Sequence, residues 1–171
     1  MIQQERADLP PVLSEASWRI SEMTSQAETH EKFMRAALAE ARRSANEGNQ
    51  GVGSVIVRDG QIVAKGRNLE NTTQDPTTHA ETVAIQNYSK THGSGDLSGT
   101  VMYTTFEPCP MCCGAILTSR TPIVVMGGRP DSGASRFGDY TLERLIQLTG
   151  WGDRVEVVTG VLVEDCVNVR S

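Results

Sequence analysis

Apolar residues recur at steps of three and four between His30 and Glu47, at Phe33, Met34, Ala37, Leu38, Ala41 and Ala45. That period predicts one amphipathic helix, ending near Gly48, with Arg35, Arg42 and Arg43 on its solvated faces. The pattern then changes. Gly51 to Arg58 and Gln61 to Arg67 are two β-branched runs joined by Asp59-Gly60, which predicts a hairpin. Residues 68–78 are polar and read as a loop, and Asp75-Pro76-Thr77-Thr78 is a helix-start signal that places His79 at the mouth of a helix with Val83, Ala84 and Tyr88 inward. After a glycine-rich connection, Thr100 to Thr105 predicts a strand. A helix opening at Pro108 or Pro110 runs to about Ser119, and Ile123 to Met126 is the continuous apolar run of a covered parallel strand. Gly127 to Gly138 is a polar, glycine-rich loop, Thr141 to Leu148 a helix, and Val155 to Val163 a final strand broken by Gly160. Helices and strands in this order predict an α/β layered fold with one core.

Residues 1–29 are polar around Pro10-Pro11, with a weak apolar spacing at Val12, Leu13, Trp18 and Ile20. They are expected to be an N-terminal extension, partly helical or flexible, preceding one domain over residues 30–171. Sixteen Lys and Arg against 21 Asp and Glu give a net charge of -5, with no long basic run, so a broad nucleic-acid footprint is not expected. No apolar run approaches the roughly 18 residues of a spanning helix, and no basic-then-apolar leader opens the chain, so no membrane partner is expected. Four cysteines, two of them in one short cluster, suit metal binding in a reducing compartment, and the cytoplasm is the expected location.

The candidate chemistry lies in Pro108-Cys109-Pro110-Met111-Cys112 together with His79-Ala80-Glu81. Two cysteines three apart at a helix start bring both thiols within reach of one ion, and the positive helix end favours thiolates. A lone Cys-x-x-Cys is ambiguous between zinc and a redox pair. His79 supplies a third donor, and three protein donors leave the open position of a catalytic zinc. Glu81 has a structural alternative, since Thr78-x-x-Glu81 is formally a capping box. The glycines of Gly51-Val52-Gly53 precede a strand and do not open a helix, which argues for close packing or substrate approach and against a dinucleotide loop. Cys113 and Cys166 read as inert, Met102, Met111 and Met126 as core filler, and His30 and His92 as surface histidines.

His-x-Glu followed by Pro-Cys-x-x-Cys is the signature of zinc deaminases, in which the Glu is not a metal ligand. With Gly66-Arg67-Asn68, Asp75 to Glu81, Tyr103-Thr104-Thr105 and Glu107 to Ala115, the chain resembles the cytidine deaminase-like superfamily over roughly Phe33 to Val163. Within it, the group of guanine, cytosine and tRNA wobble-adenosine deaminases is the nearest resemblance. The resemblance implies a three-layer α/β/α fold with a five-stranded mixed sheet and helices on both faces. It implies one zinc per chain held by His79, Cys109 and Cys112, with Glu81 as proton shuttle, and substrate contacts from Asn68 and the Ala80 backbone amide. The implied reaction is hydrolytic deamination of a nucleobase or nucleoside with release of ammonia, commonly in homodimers or higher homo-oligomers.

The Pro-Cys-Pro-Met-Cys form resembles guanine deaminases more than the tRNA enzymes, so a small free base is the expected substrate. A tRNA wobble-adenosine or a cytosine deaminase is the alternative, and a non-catalytic zinc scaffold would have no use for Glu81. The sequence reads as if it stops directly after its last strand, without the C-terminal helix usual in the group, and residues 11–23 are expected to replace that helix.

Overall fold

A computed structural model describes residues 15–131 and 135–170. The expectations for Pro10-Pro11, Val12 and Leu13, and for the side chains of Trp18 and Ile20, fall outside what it describes. In chain order the elements are α1 (Glu15–Asn46), β1 (Gly53–Arg58), β2 (Gln61–Arg67), α2 (Glu70–Thr73), α3 (Ala80–His92), β3 (Val101–Phe106), α4 (Pro110–Thr118), β4 (Ile123–Gly128), α5 (Leu142–Leu148), β5 (Glu156–Val158) and α6 (Val163–Arg170). The five strands form one mixed sheet in the order β2-β1-β3-β4-β5. β1 is antiparallel to β2 and β3, while β3, β4 and β5 run parallel. The hairpin turn is as predicted: Asp59 and Gly60 both have positive φ, 50° and 71°, the pair of left-handed residues whose twist suits a two-residue hairpin loop.

Successive side chains along a strand face opposite ways, and here both faces are apolar and covered. Val55, Val57, Tyr103 and Val125 pack with Phe33, Met34, Ala37 and Leu38 of α1 and Cys166 of α6. Ile56, Met102, Val124 and Met126 face the other way, onto Ala84 and Tyr88 of α3, Ile116 and Leu117 of α4, and Leu142 and Ile146 of α5. The expected three-layer arrangement is therefore the observed one. Gly51 and Gly53 serve close packing. A Cβ on Gly53 would stand 2.1 Å from the Ala37 carbonyl oxygen, and one on Gly51 would stand 1.9 Å from that of Val169.

Several expectations are corrected. The C-terminal helix is present: after three residues of β5, the backbone turns through Gly160 (φ 86°) and Leu162 (φ 52°) into α6. β-branched residues dominate this segment, which made it read as strand, but Leu162, Cys166 and Val169 are spaced by four and three and face the α1 side of the sheet together. With α6 in place, residues 11–23 need replace nothing. The loop of residues 68–78 contains α2, four polar residues without apolar periodicity, closed by the Asn68 side chain accepting from the Glu70 amide at 3.1 Å. The helix predicted from His30 begins at Glu15. His30 consequently lies within it, half-buried, with Nδ1 3.0 Å from the Tyr103 hydroxyl, and is not a surface histidine. Met111, 37% exposed, is not core filler because the first turn of α4 carries it outward, whereas Met102 and Met126 are buried. Ala45 is exposed, one turn past the last buried apolar residue of α1.

Candidate active site

The C-terminal end of β3 and the N-termini of α3 and α4 converge on one side of the sheet, outside the carboxyl ends of the parallel strands, where open α/β sheets collect ligands. His79 and Cys109 occupy equivalent places. Each is the N-cap residue of its helix with extended backbone (φ/ψ of -73°/160° and -68°/171°), and neither uses its side chain to cap. Pro110 follows Cys109 at the first helical position, where its missing N–H costs nothing. Gly66 lets β2 approach α3, since a Cβ there would lie 2.2 Å from the Ala80 carbonyl oxygen.

His79 Nδ1 lies 3.5 Å from the Sγ of both Cys109 and Cys112, and the two sulfurs are 3.6 Å apart. A tetrahedral zinc, with thiolates at about 2.3 Å and imidazole nitrogen at about 2.0–2.1 Å, sets its donors about 3.5–3.8 Å apart, so the trio fits one ion without rearrangement. The other ring nitrogen of His79 faces the Glu70 carboxylate at 3.7 Å, the kind of partner that orients a metal-binding imidazole. Cys109 is pushed down to about 4 because the Cys112 thiol donates to its sulfur, with His79 adding to the effect. Cys112, the donor in that pair, is driven up, burial and the nearby Glu81 carboxylate contributing.

Glu81 is 3% exposed, and the capping box with Thr78 does not form. Thr78 instead donates to the Asp75 carbonyl at 2.8 Å. The Glu81 carboxylate accepts from the Thr104 hydroxyl at 2.9 Å and lies 3.4 Å from Cys112 Sγ. Burial pushes its pKa up, only partly opposed by the bonds from its own backbone and Thr104. Beside it opens a cavity of about 700 Å³ that Asn68, Ala80, Glu81, Cys109, Phe106 and Tyr140 help to line. Asn68 is buried with its side-chain oxygen accepting from the Glu70 amide, and it lines the cavity. The Ala80 amide, at the first position of α3, has no acceptor within the helix. Tyr140 donates to the Pro108 carbonyl at 2.5 Å, and Glu107 accepts from the Leu142 amide at 3.1 Å, so two contacts fasten the loop before Cys109.

All six residues expected at the site are thus gathered around one cavity, Cys112 just behind its wall. Glu70, Thr104 and Tyr140 escaped the sequence reading. Only Thr104, in the Tyr103-Thr104-Thr105 stretch, carried a signal that could have found it.

The cytidine and deoxycytidylate deaminase zinc-binding region matches residues 27–128. The chain belongs to this deaminase family. It is 39% identical to the tRNA-specific adenosine deaminase of Bacillus subtilis (strain 168) over 142 residues, covering 82% of this chain and 86% of the relative. It is 45% identical to the guanine deaminase of the same organism over 96 residues, 56% of this chain and 62% of the relative. A structure solved in a study of A-to-I editing by tRNA:A34 deaminases at the wobble position of transfer RNA superposes with a TM-score of 0.69 at 26% identity, over 81% of this chain and 98% of that one. As a family deaminase the chain is a hydrolase of C–N bonds in cyclic amidines, with zinc as its cofactor, and His79, Cys109 and Cys112 are placed as a zinc site. Among the described residues, no helix is long and apolar enough to cross a membrane.

Proposed function

We propose that this deaminase removes the exocyclic amine of a purine, with His79, Cys109 and Cys112 holding the zinc and Glu81 moving the protons. One observation carries the assignment of roles: Glu81 is buried beside the three donors, within 3.4 Å of Cys112 Sγ, yet is held by Thr104 and is not one of the trio. When bound, zinc supplies Lewis-acid activation of a water at neutral pH. Glu81 would take a proton from the attacking water and pass it to the ring nitrogen beside the reacting carbon, then take the remaining hydroxyl proton as the carbonyl forms and deliver it to the departing amine, which leaves as ammonia. The raised pKa suits a group that must give protons as well as take them. The Asn68 amide and the Ala80 N–H hold the base in register.

A purine accounts for both relatives, one named for adenosine and one for guanine. The small guanine-type base is supported by the net charge of -5 and the Pro-Cys-Pro-Met-Cys sequence. Adenine presented in tRNA is the second reading, favoured by identity extending over 82% of this chain. The four free thiols fit a reducing cytoplasm, and a homodimer belongs to the same reading. The test is ammonia release by zinc-loaded protein from guanine, guanosine, adenosine, cytosine and a tRNA anticodon stem-loop. Turnover of purines and not of cytosine is expected. Turnover of cytosine alone would reject the purine assignment.

A further inference from the structure

The segment between Asn68 and His79 holds its shape by hydrogen bonds, and α2 within it buries no residue. The Leu69 amide donates to the Thr78 carbonyl at 2.9 Å, so the two ends of the loop meet directly before His79. The Thr73 hydroxyl donates to the Leu69 carbonyl at 2.8 Å, and the Asn68 side-chain oxygen accepts from the Glu70 amide at 3.1 Å. On its outer side α2 is tied to the end of α1: the Asn71 side chain donates to the Gly48 carbonyl at 2.9 Å, and the Asn49 side-chain oxygen accepts from the Thr72 amide at 3.0 Å. This frame aims one side chain at the metal centre. Glu70 Oε2 stands 3.7 Å from His79 Nε2, and among the described residues no Lys or Arg comes within ion-pair reach of that carboxylate.

His79 presents its other nitrogen, Nδ1, to both cysteine sulfurs at 3.5 Å. A neutral imidazole has one N–H and one lone pair, and the group facing each nitrogen decides which keeps the proton. A carboxylate only accepts, so beside Nε2 it selects the tautomer whose lone pair lies on Nδ1, toward the sulfurs, and it strengthens that nitrogen as a donor. At 3.7 Å the pair is longer than an N–H···O bond of about 2.7–3.2 Å, so its pull in this structure is electrostatic. A simpler role for Glu70, as an acid at the start of a helix, has little to act on, because four residues supply only a small dipole. Solvation alone would be served by any direction of a side chain that is 44% exposed, yet this one faces the imidazole.

We propose that Glu70 is a positioning residue for the metal centre: it keeps the His79 proton on Nε2 and turns Nδ1 toward the ion, with α2 as the frame that holds it there. This rests on the reading of His79, Cys109 and Cys112 as the zinc donors, and is independent of which base is deaminated. Competition with a chromogenic chelator gives the zinc Kd. Glu70→Ala should weaken zinc binding about 10–100-fold, and Glu70→Gln, whose side-chain oxygen can still accept, should restore part of it. In zinc-loaded protein with labelled histidine ring nitrogens, the His79 Nε2–H proton should exchange slowly with solvent in the wild type and in Glu70→Gln, and rapidly in Glu70→Ala. A role confined to the loop would lower the melting temperature of metal-free Glu70→Ala protein while the Nε2–H signal persisted, and that result would overturn the proposal, as would a Kd within about twofold of the wild type. His79→Ala separates the proposal from the reading beneath it. Where Glu70 acts through the ring, Glu70→Ala costs nothing further in the His79→Ala background, whereas an equal loss in both backgrounds sinks the positioning role. Zinc binding indifferent to His79→Ala would sink the donor reading itself, while His79-dependent binding indifferent to Glu70 would sink the positioning role alone.

Discussion

Glu81 and Cys112 come from the first turns of two different helices, and their side chains meet at 3.4 Å behind the cavity wall. Glu81→Gln keeps the shape and the Thr104 contact but cannot accept a proton, so we expect stoichiometric zinc and a loss of about 10²–10⁴ in kcat, read by metal analysis beside steady-state rates. Near-normal turnover in the zinc-loaded variant would remove Glu81 from the mechanism. Thr104→Val takes away the hydroxyl that holds the carboxylate at 2.9 Å, and kcat should fall about tenfold with KM less affected. At this scale the sequence is most informative where chemistry is local: His79 with Glu81, and Cys109 with Cys112, are each fixed by short spacing at a helix start. Thr104 is 23 residues from Glu81 along the chain and Arg170 lies far from Phe106, so their meeting depends on how β3 and α6 pack. No short spacing encodes such contacts.

The long helix α1 and the short α6 share one face of the sheet, and each teaches something different about legibility. The apolar period of α1 was plain from Phe33 to Ala41, but its start was not, because Arg19 and residues 22–29 are exposed and give no stripe to count. α6 is the element that the sequence analysis lacks: the strand expected over Val155 to Val163 runs on to its first residue because Val161 to Val163 favours extended backbone, and only packing against α1 and β4 selects the helical spacing of Cys166 and Val169. Gly51→Ala should push Val169 away and cost about 1–3 kcal/mol of stability, measured by denaturant unfolding; an unchanged midpoint would show that α6 yields freely. His30, where α1 meets Tyr103, has its pKa lowered by burial, against an opposing pull from Glu156. The fold therefore prefers the neutral ring, so its contribution is present above the unfolded value of about 6.5 and is lost as pH falls through the lower folded value. Thermal melts should show a smaller decline below pH 6.5 for His30→Gln than for the wild type.

For the whole molecule, the three-layer order was readable because each strand and helix carried its own period, and the two apolar clusters on either side of the sheet contain none of the three metal donors. Removing zinc should thus abolish activity without unfolding the chain. With free zinc at a hundred times its Kd, binding adds about 2.7 kcal/mol. Chelation should then lower Tm by roughly 5–10 °C while far-UV circular dichroism is retained. Collapse of the spectrum would mean that the ion holds the fold itself. The sheet has one further property, set at its borders. β5 offers only three residues to a newcomer, and on the opposite border β2 exposes Lys65 while its carbonyl is already taken by the Asn87 side chain at 2.8 Å. Short strands and edge lysines are how open sheets resist templated growth. Copies of this chain are thereby steered away from lateral fusion of their sheets, and a homodimer would have to form through helices or loops.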